Sequence, residues 1–442
     1  GRYATGSKNT FVGHRSGLGS TGAPYASGDK NTAIGNDTIR VLTTGYQNVA
    51  VGHRAGENIT TGYSNTYIGG YRTGYYNQTG HSNVGIGNSA IGSDANKYVN
   101  ELVAIGGAAG ALTAGNVGDT DGNVYVGYNA GYSNISGSGL TMLGFKAGQN
   151  ATGSYNTFLG YQTGQGYSGA AATTGDSNTA IGYQSMRVFT SGDQNVAIGR
   201  EAGVNLTTGD QNTFIGTYAG NQSTSQNYNT FVGQGAGYGV DGGDGNNVVV
   251  GRQALYYGDN NANNMAMGNL ALYGTSGGGN NAYRNVAIGT SALQNTSTGD
   301  DNIAIGYRAG KDSNNSANIY IGNLVSGSAT GNFEYVIGNA NHAYDTAQSV
   351  EGAGTETIRI GRRTDFITND FGENATWTHS SDKRIKKDIK DTNIGLDFIL
   401  KLQPKEFKKK APSEYPLEFS GHNPNETERK NPDKIHYGFV AQ

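Results

Sequence analysis

The sequence predicts an all-β protein built on a parallel β-solenoid of about 17 residues per coil. The first observation is a five-residue kernel that recurs about twenty times: Asn, a small or β-branched residue, a variable residue, Ile or Val, and Gly. The second is composition, because 73 of the 442 residues are Gly, which without a collagen triplet indicates disorder or a repeat architecture. The third is that Val, Ile, Phe and Tyr recur at fixed positions, which is not typical of disorder.

The spacing of the kernels sets the length of the predicted coil. Copies include "NTAIG" at 178–182, "NVAIG" at 195–199 and "NTFIG" at 212–216. The closing glycines from Gly182 to Gly268 lie 17, 17, 17, 18 and 17 residues apart. Longer steps place their extra residues between kernels, where surface loops tolerate insertion. We assign residues 1–361 to this repeat region.

Each kernel predicts a short strand, because its apolar residues alternate with period two. We expect the first and third side chains to face the coil interior and the variable middle side chain to face outward. A coil of this length has room for two strands and two turns, and coils stack at about 4.8 Å. Twenty coils would span on the order of 95 Å.

The polar segments between kernels predict turns. In "TTGDQN" the Gly can take positive φ and the Asp can hydrogen-bond its own backbone. The Asn that opens each kernel is expected to stack into an amide ladder along the solenoid. Only Pro24 precedes residue 404, as expected of a continuous ladder that needs its N–H donors.

The middle position of the kernel predicts self-association. It is often aromatic or Ala, and an outward side chain of that kind would be buried only against other copies, for which a three-fold axis is the usual choice in slender fibres. The alternative interpretation is a monomeric solenoid whose surface aromatics are incidental. The positions are Phe11, Tyr67, Tyr125, Phe158, Ala180, Ala197, Phe214 and Phe231.

The kernels resemble the "NSVAIG" repeats in the heads of trimeric autotransporter adhesins, over residues 9 to about 361. Those heads are left-handed parallel β-rolls, so the resemblance implies a homotrimeric β-roll. The unit here is longer than the adhesin unit.

The composition changes after residue 361. Residues 362–380 form a connector with strand character that holds the only Trp, Trp377. From Asp382 to Gln442 the chain has 13 Lys or Arg against 10 Asp or Glu. This segment opens with "SDKRIK" at 381–386 and ends with "HYGFVAQ" at 436–442, and it resembles the start of the peptidase S74 intramolecular chaperone of bacteriophage tail fibres and tailspikes.

The S74 resemblance implies a small α+β chaperone segment at 381–442, with core helix periodicity over 394–402. It implies a trimer that cuts itself between Ser381 and Asp382, with Ser381 as nucleophile and Lys386 as the base that activates it. The alternative is that the run of cationic residues is a solvated face. Family members usually continue after "GFVAQ", so we expect the chaperone to be incomplete at Gln442.

Charge and composition argue against several function classes. The net charge of −3 gives no field that would draw nucleic acid, and no apolar run reaches the roughly 18 residues that membrane insertion needs. The chain has no Cys. Neither the two "GHR" turns with His14 and His53 nor "DGGDGNN" at 241–247 has the spacing of a metal site, so we expect no metal and no cofactor.

The S74 resemblance, together with the predicted solenoid, implies a virion tail fibre that binds a host-surface glycan or protein receptor and contacts other tail or baseplate proteins. Self-cleavage is the only enzymatic activity expected. The loop at 166–177, with Tyr167, is a candidate glycan site. Two alternatives remain: an extracellular trimeric adhesin of a cell surface, and a tailspike that degrades polysaccharide.

Overall fold

The computed structural model describes residues 2–19, 26–92, 98–112, 122–167, 173–276, 281–340, 350–362, 365–371, 374–379, 405–407, 413, 425 and 436–438. The chain divides into two compact units, residues 1–380 and 381–442. No α-helix occurs among the described residues. The helix predicted over 394–402 lies outside them.

Unit one begins with eighteen three-residue strands, one for each kernel. In chain order, β1 to β18 are Thr10–Val12, Thr32–Ile34, Val49–Val51, Thr66–Ile68, Val84–Ile86, Val103–Ile105, Val124–Val126, Thr141–Leu143, Thr157–Leu159, Thr179–Ile181, Val196–Ile198, Thr213–Ile215, Thr230–Val232, Val248–Val250, Met265–Met267, Val286–Ile288, Ile303–Ile305 and Ile319–Ile321. Each strand pairs in parallel with the next, so the predicted β-solenoid is confirmed.

The strands pair kernel to kernel without a register shift. In the pair β12–β13, Thr213 lies opposite Thr230 and Phe214 opposite Phe231. A second strand per coil is not found over the described coils of β1 to β17, because the second side of the coil there holds turns and isolated bridges such as Gly245 with Ala262. The Gly that follows each strand explains the turn: Gly199 has φ of 135°, and a Cβ there would lie 2.5 Å from the carbonyl oxygen of Gly216.

The solenoid ends in a different arrangement. The remaining strands of unit one are β19 Val325–Ser326, β20 Tyr335–Gly338, β21 Val350–Glu351, β22 Thr357–Arg362, β23 Asp365–Asp370 and β24 Asn374–His379. Strands β20 and β22 continue the parallel ladder, while β23 and β24 add antiparallel. In unit two, β25 Lys405–Phe407 pairs antiparallel with β26 His436–Gly438.

The facing of the strands is opposite to our expectation. The middle side chain points into the coil, so that Phe214 and Ala197 are fully buried. The third side chain points out, and Ile215 is 38% exposed. The reason is that a coil is too narrow to hold two side chains from one strand, and its opposite side also contributes a column of small residues such as Ala219.

Many coils fill their interior with two residues of complementary size, the middle residue of the strand and the sixth residue after it. Where the middle residue is Phe, the sixth residue after it is Gly, and a Cβ on Gly220 would lie 2.8 Å from the Phe214 ring. Where the middle residue is Ala287, the sixth residue is Leu293, fully buried at φ of 48°. In the coil where both positions are small, Ala197 and Gly203, the nearby Leu206 is buried instead. Different combinations of side-chain size therefore fill the interior of different coils, as the close packing of protein cores requires.

The predicted amide ladder is confirmed. Asn212 is 1% exposed; its backbone N–H and Nδ2 donate to Oδ1 of Asn195 at 2.9 and 3.0 Å, and Nδ2 also donates to the carbonyl of Gln226 at 2.8 Å. Asn229 repeats the pattern on Asn212. The column satisfies buried polar groups in a protein whose turns would otherwise leave carbonyls unpaired.

The turn aspartates also act between coils. Oδ1 of Asp193 accepts the backbone N–H of Asp176 at 2.7 Å, and Oδ1 of Asp210 accepts that of Asp193 at 2.8 Å. Our expectation that Asp bonds its own turn was therefore wrong. These carboxylates tie one coil to the one before it.

Stability is expected to fall in alkaline solution. Burial raises the pKa of Tyr320 to about 12, against about 10 in the unfolded chain, and burial also raises the pKa of Tyr67 and Tyr125. Because the unfolded phenols ionise first, stability present below about pH 10 is lost as the pH rises toward 12. Denaturant titrations should show that the free energy of unfolding falls less over this pH range in Tyr320→Phe than in the wild type. An equal fall in both proteins would contradict the role given to the Tyr320 phenol.

Candidate functional site

The main surface feature is the outer strand face, formed by the first and third side chains of β1–β18, β20 and β22. The third position is apolar in every strand of this set: Val12, Ile34, Val51, Ile68, Ile86, Ile105, Val126, Leu143, Leu159, Ile181, Ile198, Ile215, Val232, Val250, Met267, Ile288, Ile305, Ile321, Ile337 and Ile360. The first position is Thr, Val, Ile, Met or Tyr. The third positions therefore form one continuous apolar stripe along the ladder, beside a first column in which Thr is interspersed with apolar residues.

The stripe is open to solvent in the single chain. Ile34 is 40% exposed, Ile305 39% and Met267 41%. With three residues across and about 4.8 Å per strand, it is about 10 Å wide and on the order of 95 Å long. That exceeds the few hundred Å² of contiguous apolar surface usual for a monomer and marks an interaction surface.

Aromatic side chains follow the closing glycines in four successive coils. Tyr128, Phe145, Tyr161 and Tyr183 stack with ring centroids 5.5, 5.1 and 5.3 Å apart. The two inner rings, Phe145 and Tyr161, have both faces covered by their neighbours, so neither offers the free face that stacking on a sugar requires. They stabilise the ladder and leave their edges exposed.

A cleft of about 450 Å³ lies at the C-terminal end of the outer strand face. Its lining is Phe333, Tyr335, Glu356, Ile358 and Phe371. Tyr335 and Ile358 hold the first positions of β20 and β22, so the cleft continues the stripe. Phe333 and Phe371 are 51% and 54% exposed.

The residues predicted to carry out chemistry are placed as follows. Ser381, Lys386 and the Ser381–Asp382 bond lie outside the described residues. The candidate loop at 166–177 is described only at 166–167 and 173–177. His14 and His53 are exposed, and Nδ1 of His14 lies 3.1 Å from Nδ2 of Asn36. No group of three metal-binding side chains occurs in the described part of the chain, and no helix described here is long and apolar enough to cross a membrane.

Comparison with known proteins gives one match. Residues 381–442 match the model of the Peptidase_S74 family, the chaperone of endosialidase. The C-terminal segment is an S74-type chaperone segment. Searches of curated proteins and of solved structures found no match. A parallel β-solenoid followed by an S74 segment is the architecture of a fibre-like or tailspike-like protein.

Proposed function

We propose that the chain is a homotrimeric virion tail fibre that attaches to the host cell surface and whose S74 segment assists assembly. The observation that carries the proposal is the outer strand face. Its third positions are apolar in every strand, and in one chain many of these side chains remain in water. Copies of the same chain cover them, because only a partner with the same length and the same repeat spacing can match every strand.

The size of the face supports this occupant. A stripe of the dimensions above offers roughly 900 Å² per chain, against about 800 Å² per partner in a standard stable interface. Burial of one outward Ile or Val contributes roughly 1 kcal/mol at the exposure seen here. Repeated along the ladder, that is ample for a permanent assembly.

Attachment is proposed from the rest of the surface. Turns rich in Tyr, Asn and Ser carry hydroxyl and amide groups suited to hydrogen-bonding a glycan or protein receptor. Pre-incubation of host cells with the purified fibre should lower the adsorption rate of the parent virus, and antibodies against the solenoid should label the virion tail. Labelling of a cell surface in a culture free of virus would contradict the virion assignment and favour the adhesin.

Self-cleavage is proposed at the Ser381–Asp382 bond. Lys386 in its neutral form would take the proton from the Ser381 hydroxyl, whose oxygen attacks the carbonyl carbon of the scissile peptide. The bond from that carbon to the Asp382 nitrogen then breaks, the nitrogen leaves as an amine with the proton from Lys386, and water hydrolyses the resulting ester. In the natural gene product, Ser381→Ala is expected to leave one full-length band on a denaturing gel while assembly continues. Lys386→Ala should slow or stop release.

Lys390→Ala is the matched control, because it removes a nearby lysine outside the proposed pair. It should cleave at the wild-type rate. If mass spectrometry of the mature wild type shows a chain that is still intact across Ser381–Asp382, self-cleavage is contradicted. The proposed chaperone role of the segment would not be affected.

A further inference from the structure

The first coils of the solenoid carry a cluster of Arg and Tyr side chains away from the outer strand face. Residues 1–92 hold seven Lys or Arg against three Asp or Glu. Residues 93–381 hold 11 against 21. The positive charge of the solenoid is thus concentrated at its N-terminal coils.

Arg54 is fixed by two partners. Its Nε donates to Oε2 of Glu57 at 2.5 Å, and its Nη2 donates to the hydroxyl of Tyr75 at 2.9 Å. Glu57 is 2% exposed and accepts a further bond from Nε of Arg40 at 2.8 Å. One buried carboxylate therefore serves two guanidinium groups.

Arg72, on the next coil, has no carboxylate partner among the described residues. Its guanidinium carbon lies 4.9 Å from the ring centroid of Tyr71 and 5.0 Å from that of Tyr75. Its Nε is buried without a hydrogen-bond partner in the part of the chain described. Arg54 lies 4.9 Å from the same Tyr75 ring.

Two guanidinium groups thus share one tyrosine ring, and the nearby carboxylate does not neutralise both. Both guanidinium groups lie about 5 Å from the Tyr75 ring centroid, so their positive charges add at this part of the surface and favour an anion there. Guanidinium groups bind carboxylate, sulfate and phosphate in a planar, bidentate manner, and tyrosine beside them offers a hydroxyl and an apolar ring to a sugar.

We propose that Arg54, Arg72, Tyr71 and Tyr75 form a binding site for an oxyanion-bearing saccharide, with the anionic group on the two guanidiniums. This proposal rests on the proposed attachment function and specifies the class of ligand that the protein would bind. Carboxylate and sulfate sources share this chemistry, so the test must separate them.

The test is affinity electrophoresis of the assembled protein in gels that contain dextran sulfate, polygalacturonate or neutral dextran. The protein should be retarded by at least one charged polymer and not by neutral dextran. Arg72→Gln should weaken that binding about tenfold or more, as expected for loss of a charged hydrogen-bonding group. Whichever polymer is bound more tightly identifies sulfate or carboxylate as the preferred group.

Arg308→Gln is the matched control. Arg308 lies 5.2 Å from the Tyr307 ring, and its position after β17 is equivalent to that of Arg54 after β3. No second arginine among the described residues lies over that ring. Binding that survives Arg72→Gln in a variant with a wild-type melting curve overturns the proposal, and so does an equal loss in Arg308→Gln. Adsorption to host cells separates the two claims: wild type that binds charged polymer but not cells contradicts attachment and leaves the site intact.

Discussion

Replacing Phe214 with Ala is expected to destabilise the solenoid by about 3–5 kcal/mol, the cost of emptying a packed aromatic site. Phe214 is fully buried and stacks on Phe231 at 5.1 Å. Gly220→Leu alone should be at least as harmful, because its Cβ would lie 2.8 Å from the Phe214 ring. Each single change leaves residues 214 and 220 with side chains that no longer match in size: both small in one variant, both large in the other.

The double variant Phe214→Ala with Gly220→Leu should recover most of the loss. It recreates the pair found naturally in Ala266 with Leu272, where Leu272 takes φ of 49°. Denaturant unfolding of the four proteins forms a double-mutant cycle. Additive losses would show that the two positions do not fill one space.

The second prediction concerns assembly. Replacing Ile198, Ile215 and Val232 with Asp puts three charges on neighbouring rungs of the outer strand face. Burying them unpaired between chains costs several kcal/mol, whereas in a monomer they stay in water. Light scattering should show a change from three times the chain mass of 46.1 kDa to a single chain mass, with the far-UV circular dichroism of the solenoid retained.

The matched control adds the same charges elsewhere. Ser191, Thr208 and Ser225 hold equivalent exposed turn positions in the same three coils. Their replacement with Asp should leave the mass unchanged. Loss of assembly in both variants, or in neither, would contradict the assignment of the interface to the outer strand face.

The sequence predicted the solenoid well because its repeat is a direct physical signal. One kernel recurs at a nearly constant spacing, and a buried side chain such as Asn212 hydrogen-bonds its copies in the coils above and below. The facing of the strand was predicted wrongly because period two does not say which face is inside. The signal that decides it is the pairing of Phe214 with Gly220 against Ala287 with Leu293, which shows that the middle residue shares a closed space.

Other features depend on distances that no local pattern gives. The cluster of Arg54, Arg72 and Tyr75 comes together because its members lie on adjacent coils, with an extra Gly70 between them. The stacked tyrosines are separated by one whole coil each. The chemistry expected of Ser381 rests on a motif resemblance. Such a resemblance identifies the residues but gives no distances between them.

The four methionines test the central claim most directly. Met142 and Met186 are buried inside coils in any state of assembly, whereas Met265 and Met267 lie on the outer strand face at 39% and 41% exposure in the single chain. Peroxide oxidation followed by peptide mass spectrometry should find all four protected in the mature protein. In the Asp-substituted monomer, Met265 and Met267 should oxidise while the other two stay protected. Rapid oxidation of Met265 and Met267 in the mature protein would contradict a trimer built on this face.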